Sequence, residues 1–151
     1  MEAVLLIGIP ASGKSTFCRE RFFSSHVRLN LDMLRTRRRE AVLLEACLAA
    51  KAPFVVDNTN LTRADRARYI VPARAAGFSV HGYFLRSRID EALIWNCERE
   101  GKARVPDIAI RSASARLELP NPVAEGFDSL HFVRVDTRDG QFIVEPWKSE
   151  E

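Results

Sequence analysis

The chain has 151 residues, of which 46% are hydrophobic and 28% charged, a composition typical of one globular domain that is long enough to bury a core. No apolar run approaches the ~20 residues of a membrane-spanning helix, and the N-terminus lacks the charged region of a secretory signal. The three cysteines form no CxxC pair. A membrane or disulfide-based protein is therefore disfavoured, and we expect reduced thiols and a cytoplasmic location.

The formal net charge is only +3, but it is unevenly distributed. Counting Lys and Arg against Asp and Glu gives +8 for residues 1–116 and −5 for residues 117–151. The basic residues are mostly arginine, which recognises phosphate in a bidentate manner. Two interpretations stay open at this point, a polyanionic partner and an ordinary arginine-rich surface.

The first predicted strand, residues 3–7, leads into the segment GIPASGKST at residues 8–16, and a helix is predicted over residues 17–23. Gly-x-x-x-x-Gly-Lys-Ser between a strand and a helix is a P-loop pattern, in which backbone N–H groups surround a phosphate. Lys14 is expected to reach the β- and γ-phosphates and Ser15 to bind Mg²⁺. The predicted ATP-binding residues are Gly8, Ile9, Pro10, Ala11, Ser12, Gly13, Lys14, Ser15 and Thr16.

The second strand is predicted over residues 26–30 and the following helix over residues 31–51. Asp32 lies just past the strand, where a carboxylate could accept a proton from an attacking hydroxyl. It could equally be an ordinary favourable charge in the first turn of a helix. Three residues later, Arg35 would lie on the same helix face and suit an acceptor that carries a phosphate.

The third strand, residues 53–57, is apolar until it ends in Asp57. In a parallel sheet, ligands bind outside the carboxyl ends of the strands. An acid at this end can hold the magnesium shell, although an Asx-turn residue would also fit. A helix over residues 63–76 follows. Thr62 and Asp65 resemble a capping box at its start, Gly77 suits the cap at its end, and Pro72 is expected to kink it.

The remaining predicted elements alternate in the same way. They are strand 78–85, helix 89–100, helix 107–118, and strands 130–135 and 142–144. Alternating strands and helices predict an α/β fold, with a mostly parallel central sheet between two helical layers. We expect one domain over residues 1–147 and a frayed tail over residues 148–151.

Basic residues cluster around the turn at Gly101: Arg99, Lys102, Arg104 and Arg111. Phosphoryl transfer needs cations to offset charge on the transferring group, and a mobile lid often supplies them. The cluster indicates a short helical lid over residues 99–118, although each arginine taken singly could be a solvated surface group.

Taken together, these motifs resemble the kinase domain of 5′-polynucleotide kinases, both the phage type and the animal polynucleotide kinase-phosphatase type. The similarity runs from Met1 to about Val135. It rests on GIPASGKST, Leu29-Asn30-Leu31-Asp32, Val55-Val56-Asp57-Asn58-Thr59-Asn60, Asn96, Arg99, Val105-Pro106, Arg111, Leu117-Glu118-Leu119-Pro120 and Glu125-Gly126-Phe127.

The resemblance implies an ATP- and Mg²⁺-dependent transfer of phosphate to a 5′-hydroxyl of RNA or DNA. It implies Asp32 as the general base, Arg111 as a lid arginine that contacts the phosphates, and Arg35 as an arginine for the acceptor's phosphate. The sequence departs from the family at Leu31, where arginine is common. Arg28 or Arg37 is a candidate to compensate.

Two other functions stay open. One is the same chemistry on a small metabolite, nucleoside or antibiotic. The other is a nucleotide-binding module without catalysis, which would not need Asp32, Asp57 and Arg111 together. No phosphatase or ligase domain fits within 151 residues, so a stand-alone kinase module is expected, with a monomer as the default.

Overall fold

The structure, a computed structural model, describes residues 1–148 apart from the side chain of Lys102. Six strands form one sheet in the order β2-β3-β1-β4-β5-β6. Strands β1 to β5 pair in parallel and β6 is antiparallel at the edge. The strands are β1 (Glu2–Ile7), β2 (Val27–Leu29), β3 (Phe54–Val56), β4 (Ser79–Leu85), β5 (Ser129–Val135) and β6 (Phe142–Pro146).

Seven α-helices accompany the sheet in the described part of the chain, with one 3₁₀ turn at Gly101–Ala103. They are α1 (Lys14–Phe22), α2 (Leu31–Leu34), α3 (Arg37–Ala50), α4 (Arg63–Ala75), α5 (Ile89–Cys97), α6 (Asp107–Arg116) and α7 (Pro122–Glu125). The expected three-layer α/β architecture with a mostly parallel sheet is confirmed. Beyond residue 148, the predicted tail lies outside the described residues.

Strand β1 is the centre of the molecule and is buried on both faces, as expected for a strand inside a parallel sheet. Ala3, Leu5 and Ile7 pack into the core formed with α3 and α4. Val4 and Leu6 point to the other face, where they pack against α1. This double burial fixes the end of β1, and therefore the loop after it, at the middle of the sheet's carboxyl edge.

The prediction of a single helix over residues 31–51 is wrong, since two helices occupy this range. Arg35 has φ 77°, which ends α2 after one turn. Thr36 is extended and its hydroxyl accepts from the backbone N–H of Arg39, which starts α3. A threonine that can cap a helix competes with helix continuation, and this competition separates the short helix that carries Asp32 from the long one behind it.

Helix α4 begins and ends as its sequence signals indicate. Thr62 and Asp65 form a capping box, and Gly77, at φ 82°, closes the C-terminus. The N–H of Gly77 donates to the carbonyl of Arg74 and that of Phe78 to Ala73, a Schellman arrangement. The helix continues through Pro72 to Ala75. Between these two caps, α4 packs against β1 and β4.

The sequence does not predict α7, because Pro120 and Pro122 are residues that usually interrupt a helix. Pro122 instead occupies the first turn, Asn121 caps it by accepting from the N–H of Ala124, and Gly126 ends it at φ 92°. Proline is tolerated at this helix position because its missing N–H would have no partner there.

Candidate functional site

The loop between β1 and α1 has the geometry of a phosphate cradle. Gly13 has φ 98° and Ala11 φ 63°, so the backbone turns tightly into the first turn of α1. Among residues 1–148, the backbone N–H groups of residues 11–16 donate to no protein acceptor. Ser12 Oγ is also buried without a partner there. A ring of free donors at a helix N-terminus fits an anion.

Lys14 lies under this loop and is largely buried. Its ammonium donates to the carbonyl of Ile9 over 2.9 Å. Burial lowers the pKa of Lys14 from 10.5 to about 8, with Asp57 opposing the shift, Arg99 adding to it and Asp32 opposing it. Asp32 and Arg99 therefore lie within electrostatic reach of Lys14.

Ser15 and Asp57 join the P-loop to the end of β3. The Ser15 hydroxyl donates to Asp57 Oδ2 over 3.0 Å, and Asp57 is only 2% exposed. Two hard oxygens fit Mg²⁺, which in nucleotide sites takes its other ligands from phosphates and water. Residues 1–148 contain no cluster of three or more His, Cys, Asp or Glu arranged to hold a metal.

Arg28 contacts the same pair of residues. Its Nε and Nη2 lie 2.9 Å and 2.7 Å from Asp57 Oδ2, and Nη2 lies 3.5 Å from Ser15 Oγ. The sequence suggested Arg28 as a substitute for the arginine missing at Leu31, but the structure directs its guanidinium to Asp57. The other candidate, Arg37, is paired with Glu40 and Tyr69.

The segment Asp57 to Asn60 ties three strand ends together. The side-chain amide of Asn30 donates to the carbonyl of Asp57 over 2.6 Å. That of Asn60, a residue at φ 48°, donates to the carbonyl of Leu6 over 2.7 Å. The N–H of Gly8 donates to the carbonyl of Thr59. These asparagines replace ladder hydrogen bonds where the strands end, and they set the relative positions of the P-loop and Asp57.

A buried polar cluster behind α2 is missed by sequence reasoning. Glu40 is 2% exposed and accepts from the Tyr69 hydroxyl over 2.8 Å, from Asn58 and from Arg37. Burial, followed by the Glu40 contact, raises the pKa of Tyr69 to about 12. Arg37 and Glu40 lie one turn apart on α3, but Asn58 and Tyr69 come from other parts of the chain, so no local pattern marks the whole cluster.

Asp32 lies in the first turn of α2 and is exposed. Asn30 caps this helix by accepting from the N–H of Met33 over 2.9 Å. Arg35 is the residue at which α2 ends, so the helical spacing that would put it beside Asp32 does not apply. Both side chains are exposed, and neither forms a hydrogen bond with another described residue.

The predicted lid region packs against the P-loop through apolar side chains. Buried Asn96 exchanges two hydrogen bonds with the backbone of Val105, at 2.7 and 3.0 Å, and so closes the turn over residues 97–104. Helix α6 then packs Ile110 and Ala113 against Ile9 and Ala11. Arg111, next to Ile110, is exposed, whereas Arg99 is half-buried and acts on Lys14. Arg99 is thus electrostatically coupled to Lys14, whereas Arg111 is exposed on α6.

Within residues 1–148, no helix combines the length and the apolar character needed to cross a bilayer. The three cysteines are free, with Cys18 and Cys47 buried and Cys97 exposed.

Comparison with known proteins agrees with this geometry. The AAA_33 family model, described as an AAA domain, matches residues 4–120. The bifunctional polynucleotide phosphatase/kinase of Schizosaccharomyces pombe is 30% identical over 136 residues, which cover 87% of this chain and 33% of that protein. The chain thus spans about a third of the length of this curated relative.

Solved structures share the fold. Kti12 from Chaetomium thermophilum, in complex with ADP-AlF3, aligns with a TM-score of 0.67 at 18% identity over 89% of both chains. A gluconokinase from Sinorhizobium meliloti 1021 aligns with a TM-score of 0.60 at 19% identity, over 88% of this chain and 82% of the other. The chain belongs to the AAA_33 family and is a P-loop kinase-like domain with an ATP-binding loop.

Proposed function

We propose that this domain is an ATP- and Mg²⁺-dependent kinase that transfers the γ-phosphate to the 5′-hydroxyl of RNA or DNA. The observation that carries the proposal is the relation between Asp32 and Lys14. Asp32 is exposed at the carboxyl edge of the sheet and still lies near enough to affect the pKa of Lys14. A carboxylate beside the phosphate cradle and open to solvent can receive a hydroxyl acceptor, and nucleotide binding alone would not require it.

The residues then have the following roles. Asp32 accepts the proton of the attacking hydroxyl while the oxygen of that hydroxyl bonds to the γ-phosphorus. The bond from that phosphorus to the β–γ bridging oxygen breaks, and ADP leaves. Lys14 and the free N–H groups of residues 11–16 hold the phosphates in line. Ser15 and Asp57 would hold Mg²⁺, which when bound neutralises charge on the β- and γ-phosphates. Arg111 would add positive charge from the lid.

A largely apolar groove between α2 and α3, with two arginines among its lining residues, supports a polynucleotide acceptor. It has a volume of about 560 Å³. Its lining residues are Leu34, Thr36, Arg38, Arg39, Val42 and Leu43. Arg38 and Arg39 suit phosphodiester groups, and the apolar lining suits the faces of bases. The name of the curated relative, a polynucleotide phosphatase/kinase, supports the same class of acceptor, with Arg35 as a candidate for its phosphate.

The test is transfer of labelled γ-phosphate from ATP to a short oligonucleotide with a 5′-hydroxyl, with its 5′-phosphorylated twin as control. Label on the first alone, with an acceptor KM that rises steeply with salt, supports the proposal. If neither oligonucleotide is labelled while Mg²⁺ is present and ATP binds, the polynucleotide proposal is wrong. Label on a small hydroxyl compound instead would point to a metabolite kinase.

A further inference from the structure

We propose that Arg28 is a resident counter-cation of the magnesium site, and that it must release Asp57 before that carboxylate can serve a divalent cation. This inference rests on the magnesium site of the proposed function. It concerns the control of that site by a residue that the phosphate chemistry itself does not use.

The first observation is that Arg28 contacts the Ser15 hydroxyl oxygen and one carboxylate oxygen of Asp57, two atoms suited to bind the metal. One carboxylate oxygen, Asp57 Oδ2, accepts from the Ser15 hydroxyl and from Nε of Arg28, and it lies 2.7 Å from Nη2. Nη2 also lies 3.5 Å from Ser15 Oγ. A divalent cation needs lone pairs on these same oxygens, and a guanidinium in contact with them repels it. The two cations therefore compete.

The second observation is that the competition takes place in a buried setting. The Asp57 side chain is 1% exposed, whereas that of Arg28 is 38% exposed. A buried carboxylate requires a neighbouring counter-charge, and either of the two cations can supply one in direct contact. Arg28 meets this requirement when no metal is bound, and its partial exposure keeps it able to leave.

The third observation is that open space lies beside Arg28, into which its side chain can move away from Asp57. Its side chain borders a surface groove of about 410 Å³ beside α1, which Ser15, Cys18, Arg19 and Phe22 also line. On its other side, Nη1 lies 3.9 Å from the sulfur of the exposed Met33. Arg28 sits on the edge strand β2, so no further strand restricts the guanidinium. Release of Asp57 requires rotation of one side chain and no change in the sheet.

The experiment measures how much Mg²⁺ strengthens binding of the non-hydrolysable analogue AMPPNP, by calorimetry with and without the metal. We expect the Mg²⁺-dependent gain in affinity to be about fivefold larger in Arg28→Gln than in the unmodified protein. Arg19→Gln is the matched control, because it removes the same charge from the same groove without touching Asp57. Adding Asp57→Asn to Arg28→Gln should abolish the extra gain.

A second readout does not involve nucleotide. Without metal, Arg28→Gln should melt at a lower temperature than the unmodified protein, and Mg²⁺ should raise its Tm more than it raises that of Arg19→Gln. If Arg28→Gln folds poorly, Arg28→Lys, which keeps the charge without the contact of two nitrogens with Asp57 Oδ2, should lie between the two.

Three results would overturn the inference. An equal Mg²⁺-dependent gain in Arg28→Gln and the unmodified protein would show that the cations do not compete. The same extra gain in Arg19→Gln would reduce the effect to general charge. If Mg²⁺ strengthened AMPPNP binding in no variant, the magnesium site of the proposed function would be wrong, and this inference with it.

Discussion

Asn58 Oδ1 accepts a hydrogen bond from the backbone N–H of Leu31 over 3.0 Å, which links the loop after β3 directly to the first turn of α2. The other end of the Asn58 amide donates to Glu40 and to the Tyr69 hydroxyl. Asp32 is the next residue along α2. The buried polar cluster behind the helix therefore determines where the proposed base lies, although none of its members reaches the reacting atoms.

We expect Asn58→Ala to lower kcat about tenfold while AMPPNP affinity stays unchanged, since loss of the link lets α2 and Asp32 shift relative to the phosphate. Steady-state kinetics and calorimetry check this. Asn121→Ala is the control, because it removes an asparagine cap from α7, away from the P-loop. Equal kcat values in the two variants would assign Asn58 a purely structural role.

Asp32→Asn should lower kcat by about a hundredfold to ten-thousandfold, the range that a general base contributes. ATP affinity should stay near normal, because no P-loop contact is lost. The conservative control is Asp139→Asn, in the turn between β5 and β6, where the side chain accepts from the N–H of Gln141 and an amide can do the same. Unchanged turnover in Asp32→Asn would remove Asp32 from the mechanism.

Substitutions of the two lid arginines, Arg99 and Arg111, should have different effects on the kinetic constants. Arg99 already acts on Lys14, so Arg99→Gln should raise the KM for ATP about tenfold, through ground-state binding. Arg111 is exposed on α6 and would meet the phosphates only after the lid closes, so Arg111→Gln should lower kcat about tenfold with little change in KM. The exposed lid residue Arg104 provides the control, Arg104→Gln. If Arg111→Gln matches that control, Arg111 has no role in transfer.

Short-range sequence patterns predicted much of the fold and of the candidate site. Strand patterning, the P-loop and the caps at Thr62 and Gly77 are short-range features, and each element they predict is present. The break at Arg35 was missed because the choice between one helix and two depends on a Thr36 cap that competes with a helical pattern. The contacts of Arg28 with Asp57 and of Glu40 with Tyr69 join residues 29 positions apart, and only the fold brings them together.

The segment Glu125-Gly126-Phe127, which supported the family resemblance, has a structural role in this chain. Arg66 is 0% exposed, and Glu125 pairs with it through contacts of 2.6 and 3.2 Å. Arg66 also donates to the carbonyls of Asn60 and Leu61, next to the P-loop partner Thr59. We expect Glu125→Ala to lower the free energy of unfolding by about 3–5 kcal/mol, because it leaves a buried guanidinium without its counter-charge.

Urea unfolding followed by circular dichroism measures this loss. The exposed pair of Arg134 and Glu145, on β5 and β6, supplies the control. Glu145→Ala should cost less than about 1 kcal/mol, since solvent already screens that pair. Similar losses in the two variants would contradict a special role for the buried pair.

The pKa of Lys14 makes a final prediction about pH. Burial lowers this pKa from 10.5 to about 8, so in the free protein Lys14 loses its proton as pH rises through 8. Between pH 8 and 10.5 the unfolded chain holds a proton that the folded protein has released. From this group alone, the free energy of unfolding therefore increases with pH across that window. The affinity for triphosphate changes with pH in the opposite direction and decreases across this window, because triphosphate binding favours the charged lysine.

We therefore expect AMPPNP affinity to be flat below pH 8 and to fall above it, by up to about tenfold per pH unit. Binding at pH 8.5 should take up a proton, which calorimetry detects as a dependence of the binding heat on the ionisation enthalpy of the buffer. Lys14→Arg keeps its charge across this range and should lose both effects, even if its affinity is lower. An affinity in the unmodified protein that is constant from pH 7 to 9.5 would mean that Lys14 stays charged, because its interaction with Asp57 and Asp32 outweighs the cost of burial.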